Sequence, residues 1–481
     1  MNRREMLHRS FGLCSAATVS LYTAEGVSEV DLPFRTTGMV SCAEEHWRQL
    51  DSKIREWWDQ DLISATEDAV RNDAEKATLF LPFPYVKISA GSSSIVRWQF
   101  PVDAAFMNYA LFAHGRLDIV RNHILNHLFM IERYGFPLNA NLTEVDTRSQ
   151  TPFFVPPTIW RYYSETKDKD ILEIAYPLLK REYEHYWKAQ HHQTPVGLAT
   201  NRDLGDPDLS AVLAAEAEVL DWMPVFGGDV RRCVPISTNV GLVGHARVLA
   251  QIARELGIAE DAAVFADEAG QRLSLINRYC WNEKAGLFLE YDYVSRKQLP
   301  YVSEFSWWTL WFGVATPSQA QRLVRNLRLI EKTFGISVTD KAYPDPHTAA
   351  DYELKNQPFK RIQELPPPAG IPPAYVGGNN PMQWMYPAGW GTTQIIIVGG
   401  LLRYSYDDAA RRISTRFLRL ALDQYDKTGE LWEKYNVVDG TLVLPNARYG
   451  NIPQHSFTAA AVVLLGQLLF EKKKLLVGCN G

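Results

Sequence analysis

The chain has 481 residues, 46% of them hydrophobic and 22% charged, with 14 Trp, 22 Tyr and 21 Phe; such a composition fills a large core and excludes disordered and collagen-like classes. A formal net charge of −5, with no long Lys/Arg run, excludes nucleic acid as a partner. No uninterrupted apolar stretch reaches the roughly 18 residues of a membrane span, so none is expected.

The chain opens with Met1-Asn2-Arg3-Arg4 and continues through Phe11-Gly12-Leu13-Cys14-Ser15-Ala16-Ala17. Paired arginines ahead of a short, small-residue apolar segment resemble a twin-arginine export signal, here over residues 1–25. That predicts a periplasmic or secreted location. Cys14 falls inside the signal, and Cys42, Cys233, Cys280 and Cys479 form neither a CxxC nor a zinc spacing.

Helical periodicity dominates from there on. It predicts helices near 43–61, 102–114, 116–134, 156–164, 169–188, 209–220, 239–256, 259–280, 303–314, 317–330, 392–406, 408–426 and 456–470. Gly115, Gly257, Thr166-Lys167-Asp168 and Ser405-Tyr406-Asp407 break them into pairs. Strand signals are few: 78–81 and 286–293. About twelve helices in antiparallel pairs, without alternating strands, predict an all-α fold, an (α/α)6 toroid with a few short β-hairpins in its loops. One catalytic domain over 30–475 is expected, with a Pro-rich loop insertion at 341–381. In such a toroid the loops at one end build a pocket, and Trp98, Trp222, Trp384, Trp390 and Trp432 all fall near predicted helix ends, where indole faces can stack on sugars.

The segment Gln383-Trp384-Met385-Tyr386-Pro387-Ala388-Gly389-Trp390 is followed some forty residues on by Thr428-Gly429-Glu430-Leu431-Trp432-Glu433-Lys434-Tyr435-Asn436-Val437. Together they resemble the C-terminal signature of trehalases and related inverting (α/α)6-barrel glycosidases. Further stretches match in the same order: Tyr134-Gly135, Asn139-Ala140-Asn141, Arg148-Ser149-Gln150, Glu182-Tyr183-Glu184-His185-Tyr186-Trp187, and Trp281-Asn282 leading to Gly286-Leu287-Phe288. The resemblance spans roughly 100–460. It departs from the family at Met385, where an Asp is usual, and lacks the Pro-Arg-Pro-Glu segment and the late Glu-Tyr-Pro.

The resemblance implies hydrolysis of an α-linked glucoside, a trehalose-like disaccharide or a related one, by an inverting mechanism; a carbohydrate-binding protein that has lost catalysis is the alternative. Inversion needs one protonated carboxyl to expel the leaving oxygen and one ionised carboxyl to activate water. The family pattern puts the base on Glu433. It puts the acid on Asp221, in Ala215-Glu216-Ala217-Glu218-Val219-Leu220-Asp221-Trp222, with Asp203, Asp206, Asp208 and Asp229 as rivals nearby. Lys434 is expected to project away from Glu433. Arg97, Asp103, Asn139, Arg148, Gln150, Gln383, Trp384 and Trp390 are the implied sugar-binding residues. No metal or organic cofactor is implied, and the expected partner is a small carbohydrate. His123 and His127 share a helix face at i and i+4, but no third ligand accompanies them.

Overall fold

Burial sorts the helices into two alternating kinds. The computed structural model describes residues 37–64, 79–88, 98–141, 155–202, 223–345, 382–445 and 451–473, and twelve α-helices lie among them. Helices α1 (Thr37–Gln60), α3 (Leu117–Tyr134), α5 (Lys169–Arg181), α7 (Ala259–Tyr279), α9 (Pro317–Asn326) and α11 (Asp407–Thr428) show water a polar face. Between them run α2 (Pro101–Ala113), α4 (Val155–Thr166), α6 (Ile236–Glu255), α8 (Phe305–Trp311), α10 (Gly391–Arg403) and α12 (Ser456–Phe470). Apart from the shorter stripe of α4, this second set is buried almost all round. A helix apolar on every side must be enclosed, whereas an amphipathic one can divide core from water. The even-numbered helices accordingly touch in sequence, and α12 closes back on α2, giving an inner ring inside an outer one. This is the expected (α/α)6 toroid.

The connections give the toroid two unlike ends. Inner helices pass to the next outer helix through corners of a few residues, several turned by a left-handed residue such as Gly115, Gly257, Lys167 or Ser405. Outer helices return to inner ones through long connections carrying all the short strands. Every inner helix therefore begins at the long-loop end. There α10 and α12 approach so closely that a Cβ on Gly391 would lie 2.4 Å from the Phe457 carbonyl oxygen. Gly391→Ala should lower stability by about 1–3 kcal/mol, measured by urea unfolding, because backbone rather than a flexible side chain must move.

Several expectations are corrected. Residues 79–81 form no strand: the Leu79 N–H donates to Asn141 O at 2.6 Å, and the Asn141 side chain donates back to Leu79 O at 3.1 Å. The run over 286–293 splits into β5 (Leu287–Phe288), paired with β4 (Trp281–Asn282), and β6 (Tyr291–Asp292), paired with β3 (Cys233–Val234) and β7 (Lys297–Gln298). The break falls at Glu290, whose carboxylate turns inward to accept the Ile236 N–H at the start of α6, 2.7 Å away. The helix expected over 169–188 widens into a π turn at Glu182–Trp187, where the buried Glu182 carboxyl accepts from Trp187 Nε1 at 3.2 Å. The helix expected over 209–220 and most of the Pro-rich insertion lie outside the described residues.

Candidate active site

At the long-loop end, β10 (Ala388–Trp390) and β11 (Lys434–Asn436) pair antiparallel, with Trp390 opposite Lys434 and Gly389 opposite Tyr435. Helix α11 stops at Gly429, whose left-handed φ of 75° suits a residue without a Cβ. The chain then runs beside residues 452–454: Gln454 N–H donates to Leu431 O and Glu433 N–H to Ile452 O, each at 2.9 Å. The intervening Trp432 donates its N–H to the Tyr435 hydroxyl at 2.9 Å and its indole N–H to Thr428 at 3.0 Å. Glu433 is thus fixed by bonds on both sides.

The Glu433 carboxylate is 5% exposed and accepts from Lys434 Nζ. The ammonium also donates to Gln383 Oε1 at 3.1 Å and lies 4.9 Å from the Trp390 ring centroid. Trp384 stacks on Trp390, centroids 3.7 Å apart and planes 4° from parallel. The expectation that Lys434 projects away is therefore corrected. Alternation begins only within β11, and Glu433 precedes it; the lysine stem, laid over Trp390, carries its charge back to the carboxylate. Two opposite charges in contact offset much of the cost of burying either.

Asp103, in the first turn of α2, accepts on Oδ1 from Gln454 Nε2 at 3.0 Å and from Ser456 Oγ at 2.7 Å. The segment that braces Glu433 thereby also holds Asp103, joining residues some 330 positions apart. Next to it, His455 stacks on Trp57 at 3.8 Å and bonds Asp61 through Nδ1 at 2.7 Å. Asn139 is buried at the same end, and Asn141 accepts the Gln99 N–H at 2.7 Å.

Buried polar atoms without a hydrogen-bond partner gather here. Among the described residues they include both side-chain polar atoms of Gln99, the Ser237 and Thr392 hydroxyls, Gln454 Oε1, and the indole nitrogens of Trp384 and Trp390. Each belongs to the first turn of an inner helix or the residues leading into it. A buried polar group left unpaired costs about 1–3 kcal/mol, so a cluster of them marks a place built for a polar ligand. Donors and acceptors at the same end of the ring as a buried carboxylate suit a polyhydroxylated molecule.

Of the residues singled out from the sequence, the structure brings Glu433, Gln383, Trp384 and Trp390 into one cluster, with Asp103 tied to it through Gln454. Arg97, Arg148, Gln150, Asp221, Asp203, Asp206 and Asp208 lie outside the described residues. Asp229 is corrected as a rival acid, because it caps its own turn and grips Arg231 at 2.8 Å. His123 accepts the Val86 N–H at 3.1 Å and bonds Asn108 at 2.8 Å, and burial pushes both His123 and His127 down to about 3; they are core histidines. Among the described residues no cluster of three His, Cys, Asp or Glu is arranged to hold a metal ion, and no helix is long and apolar enough to cross a membrane. Sequence reasoning missed Lys434, Gln454, Ser456 and Glu304. A Lys adjoining the motif Glu was a readable signal, whereas Gln454 and Ser456 carry none.

The trehalase family model matches residues 39–207 and 226–453. Cytosolic neutral trehalases of Kluyveromyces lactis and Emericella nidulans are 24% and 25% identical, the alignments covering 77% and 81% of this chain and 53% and 57% of theirs. The chain thus spans somewhat over half the length of these relatives. Among solved structures, the neutral trehalase of Saccharomyces cerevisiae superposes with a TM-score of 0.62 at 22% identity, over 80% of this chain and 73% of that one. A mannosylglycerate hydrolase from Thermus thermophilus gives 0.53 at 15% identity, over 87% and 99%. These likenesses share the fold found here. The expected periplasmic or secreted location is corrected by the relatives, which are named as cytosolic. A family match across most of the chain, on a closed ring of six helix pairs, leads to one conclusion: this chain belongs to the trehalase family.

Proposed function

We propose that the chain is a glycoside hydrolase that cleaves an α-linked glucoside, trehalose first among the candidates, by a single inverting displacement. The observation that carries this reading is Glu433: a buried carboxylate, its backbone braced on both sides, standing where the family motif puts the base, at the end of the ring where the inner helices begin. In this reading Glu433 takes a proton from the attacking water, and Lys434, itself bonded to Gln383, holds it in place. Asp221 gives its proton to the leaving oxygen, as the family pattern implies; single displacement calls for about 6.5–9.5 Å between the two carboxyl groups, room for the attacking water. Asp103, Asn139, Arg97, Arg148, Gln150, Trp384 and Trp390 bind the sugar. A cytoplasmic location follows from the relatives' names.

The purified chain should be offered trehalose, other α-linked disaccharides and aryl α-glucosides, with products followed by proton NMR. From trehalose, inversion at one anomeric carbon should release α- and β-glucose in equal amounts before mutarotation. Release of α-glucose alone would remove the single displacement. Binding without turnover of any glycoside would make the chain a carbohydrate-binding protein.

A further inference from the structure

Glu304 is a carboxyl for which neither the fold nor the reaction above has a use. It directly precedes α8, and its backbone leads straight to the site: Glu304 N–H donates to Val338 O at 2.8 Å, and Val338 N–H donates to Ala388 O of β10 at 3.1 Å. Helices α8 and α10 are neighbours in the inner ring, and the Thr393 hydroxyl, in the first turn of α10, acts on the Glu304 carboxyl. The residue is completely buried, and neither oxygen has a hydrogen bond of normal geometry among the described residues. The Thr392 hydroxyl and the indole nitrogens of Trp384 and Trp390, all on the same stretch of chain, have no hydrogen-bond partner among the described residues.

Two other acids are equally buried, and the contrast is informative. Glu290 accepts the first N–H of α6, and Glu182 accepts from Trp187, so each holds structure together. Glu304 does neither. An acid kept in a core with a single hydroxyl beside it, its hydrogen-bonding capacity unfilled, lowers stability, which is what a group retained for a ligand is expected to do.

We propose that Glu304 lines the floor of the pocket beside Thr393 and binds a hydroxyl group of the sugar ring, a role that rests on the glycoside reading above. Burial pushes its carboxyl up to about 8, so at neutral pH it carries its proton and offers one donor and one acceptor, the pairing that a hydroxyl takes. A neutral acid also adds no repulsion to the Glu433 carboxylate.

Glucose, a product of every α-glucoside, is the probe, titrated calorimetrically into the full chain. Glu304→Leu removes both polar atoms at similar volume and should weaken glucose binding, and raise KM for any substrate found, by about tenfold. Glu304→Gln keeps a donor and an acceptor and should stay within roughly threefold. The wild type should lose glucose affinity as pH rises through about 8, and Glu304→Gln should remove that loss, an effect that a purely structural residue would not give. Stability follows the same proton. The folded carboxyl holds it above the ordinary 4.5, so the wild type should grow less stable as pH climbs from there towards 8, and Glu304→Leu should lack this component. Unchanged glucose affinity in Glu304→Leu would overturn the proposal, as would a wild type that binds no glucose. If Glu304→Leu does not fold, the pH profile of Glu304→Gln decides. A wild type that binds glucose yet hydrolyses nothing sinks the hydrolase reading while Glu304 is still judged by affinity.

Discussion

Glu433→Gln is expected to lower kcat on the cleaved α-glucoside by about 10²–10⁴-fold while leaving the sugar's dissociation constant within roughly tenfold. The amide cannot take a proton from water but keeps an oxygen facing Lys434 Nζ, and the backbone bonds to Ile452 and from Gln454 do not depend on the side chain. Loss concentrated in kcat is the mark of a group whose interaction with the reacting water strengthens in the transition state. A variant with unchanged kcat would move the base elsewhere. Loss of binding with kcat retained would make Glu433 a sugar ligand.

How much of this was legible in sequence depends on the distance over which each contact is made. Helix α12 could be read because its fifteen residues, apolar or small apart from Gln467, have no polar face, and α11 because its charges fall on one side. Both signals are local, and the alternation of enclosed with amphipathic helices is nearly enough to require a ring. Glu433 could be found only through the family motif. On local chemistry alone a Glu after a turn is a solvated residue. The bonds that make it more are long-range: Gln454 reaches Asp103 across 351 positions, and Lys434 reaches Gln383 across 51. The place of Lys434 beside Glu433 is not legible locally, because it depends on Gln383 and Trp390, which lie more than forty positions away in sequence. Glu304 gave no signal because nothing in Ser303-Glu304-Phe305 distinguishes an acid facing water from one sealed against α10.

Removing the cation beside Glu433 should have the largest effect on stability. Lys434 is fully buried, with Glu433 and Gln383 on its ammonium and Trp390 under it. Lys434→Met keeps an apolar side chain of similar length but takes the ammonium away from the Glu433 carboxylate, and breaking a buried pair from one side costs about 3–5 kcal/mol. Urea unfolding should show a lower midpoint at unchanged slope, since the surface exposed on unfolding stays the same. If the loss comes from the stranded charge, Lys434→Met combined with Glu433→Gln should be more stable than Lys434→Met alone, because no unpaired ion remains, and the double-mutant cycle should give a coupling well above 1 kcal/mol. Lys434→Met should also lose turnover, as a carboxylate released from Lys434 no longer meets its water at a fixed place. A cycle without coupling would mean that the two charges are stabilised independently. The site would then owe the position of its base to contacts other than Lys434, the bracing by Ile452 and Gln454 among them, and kcat in Lys434→Met should stay near the wild-type value.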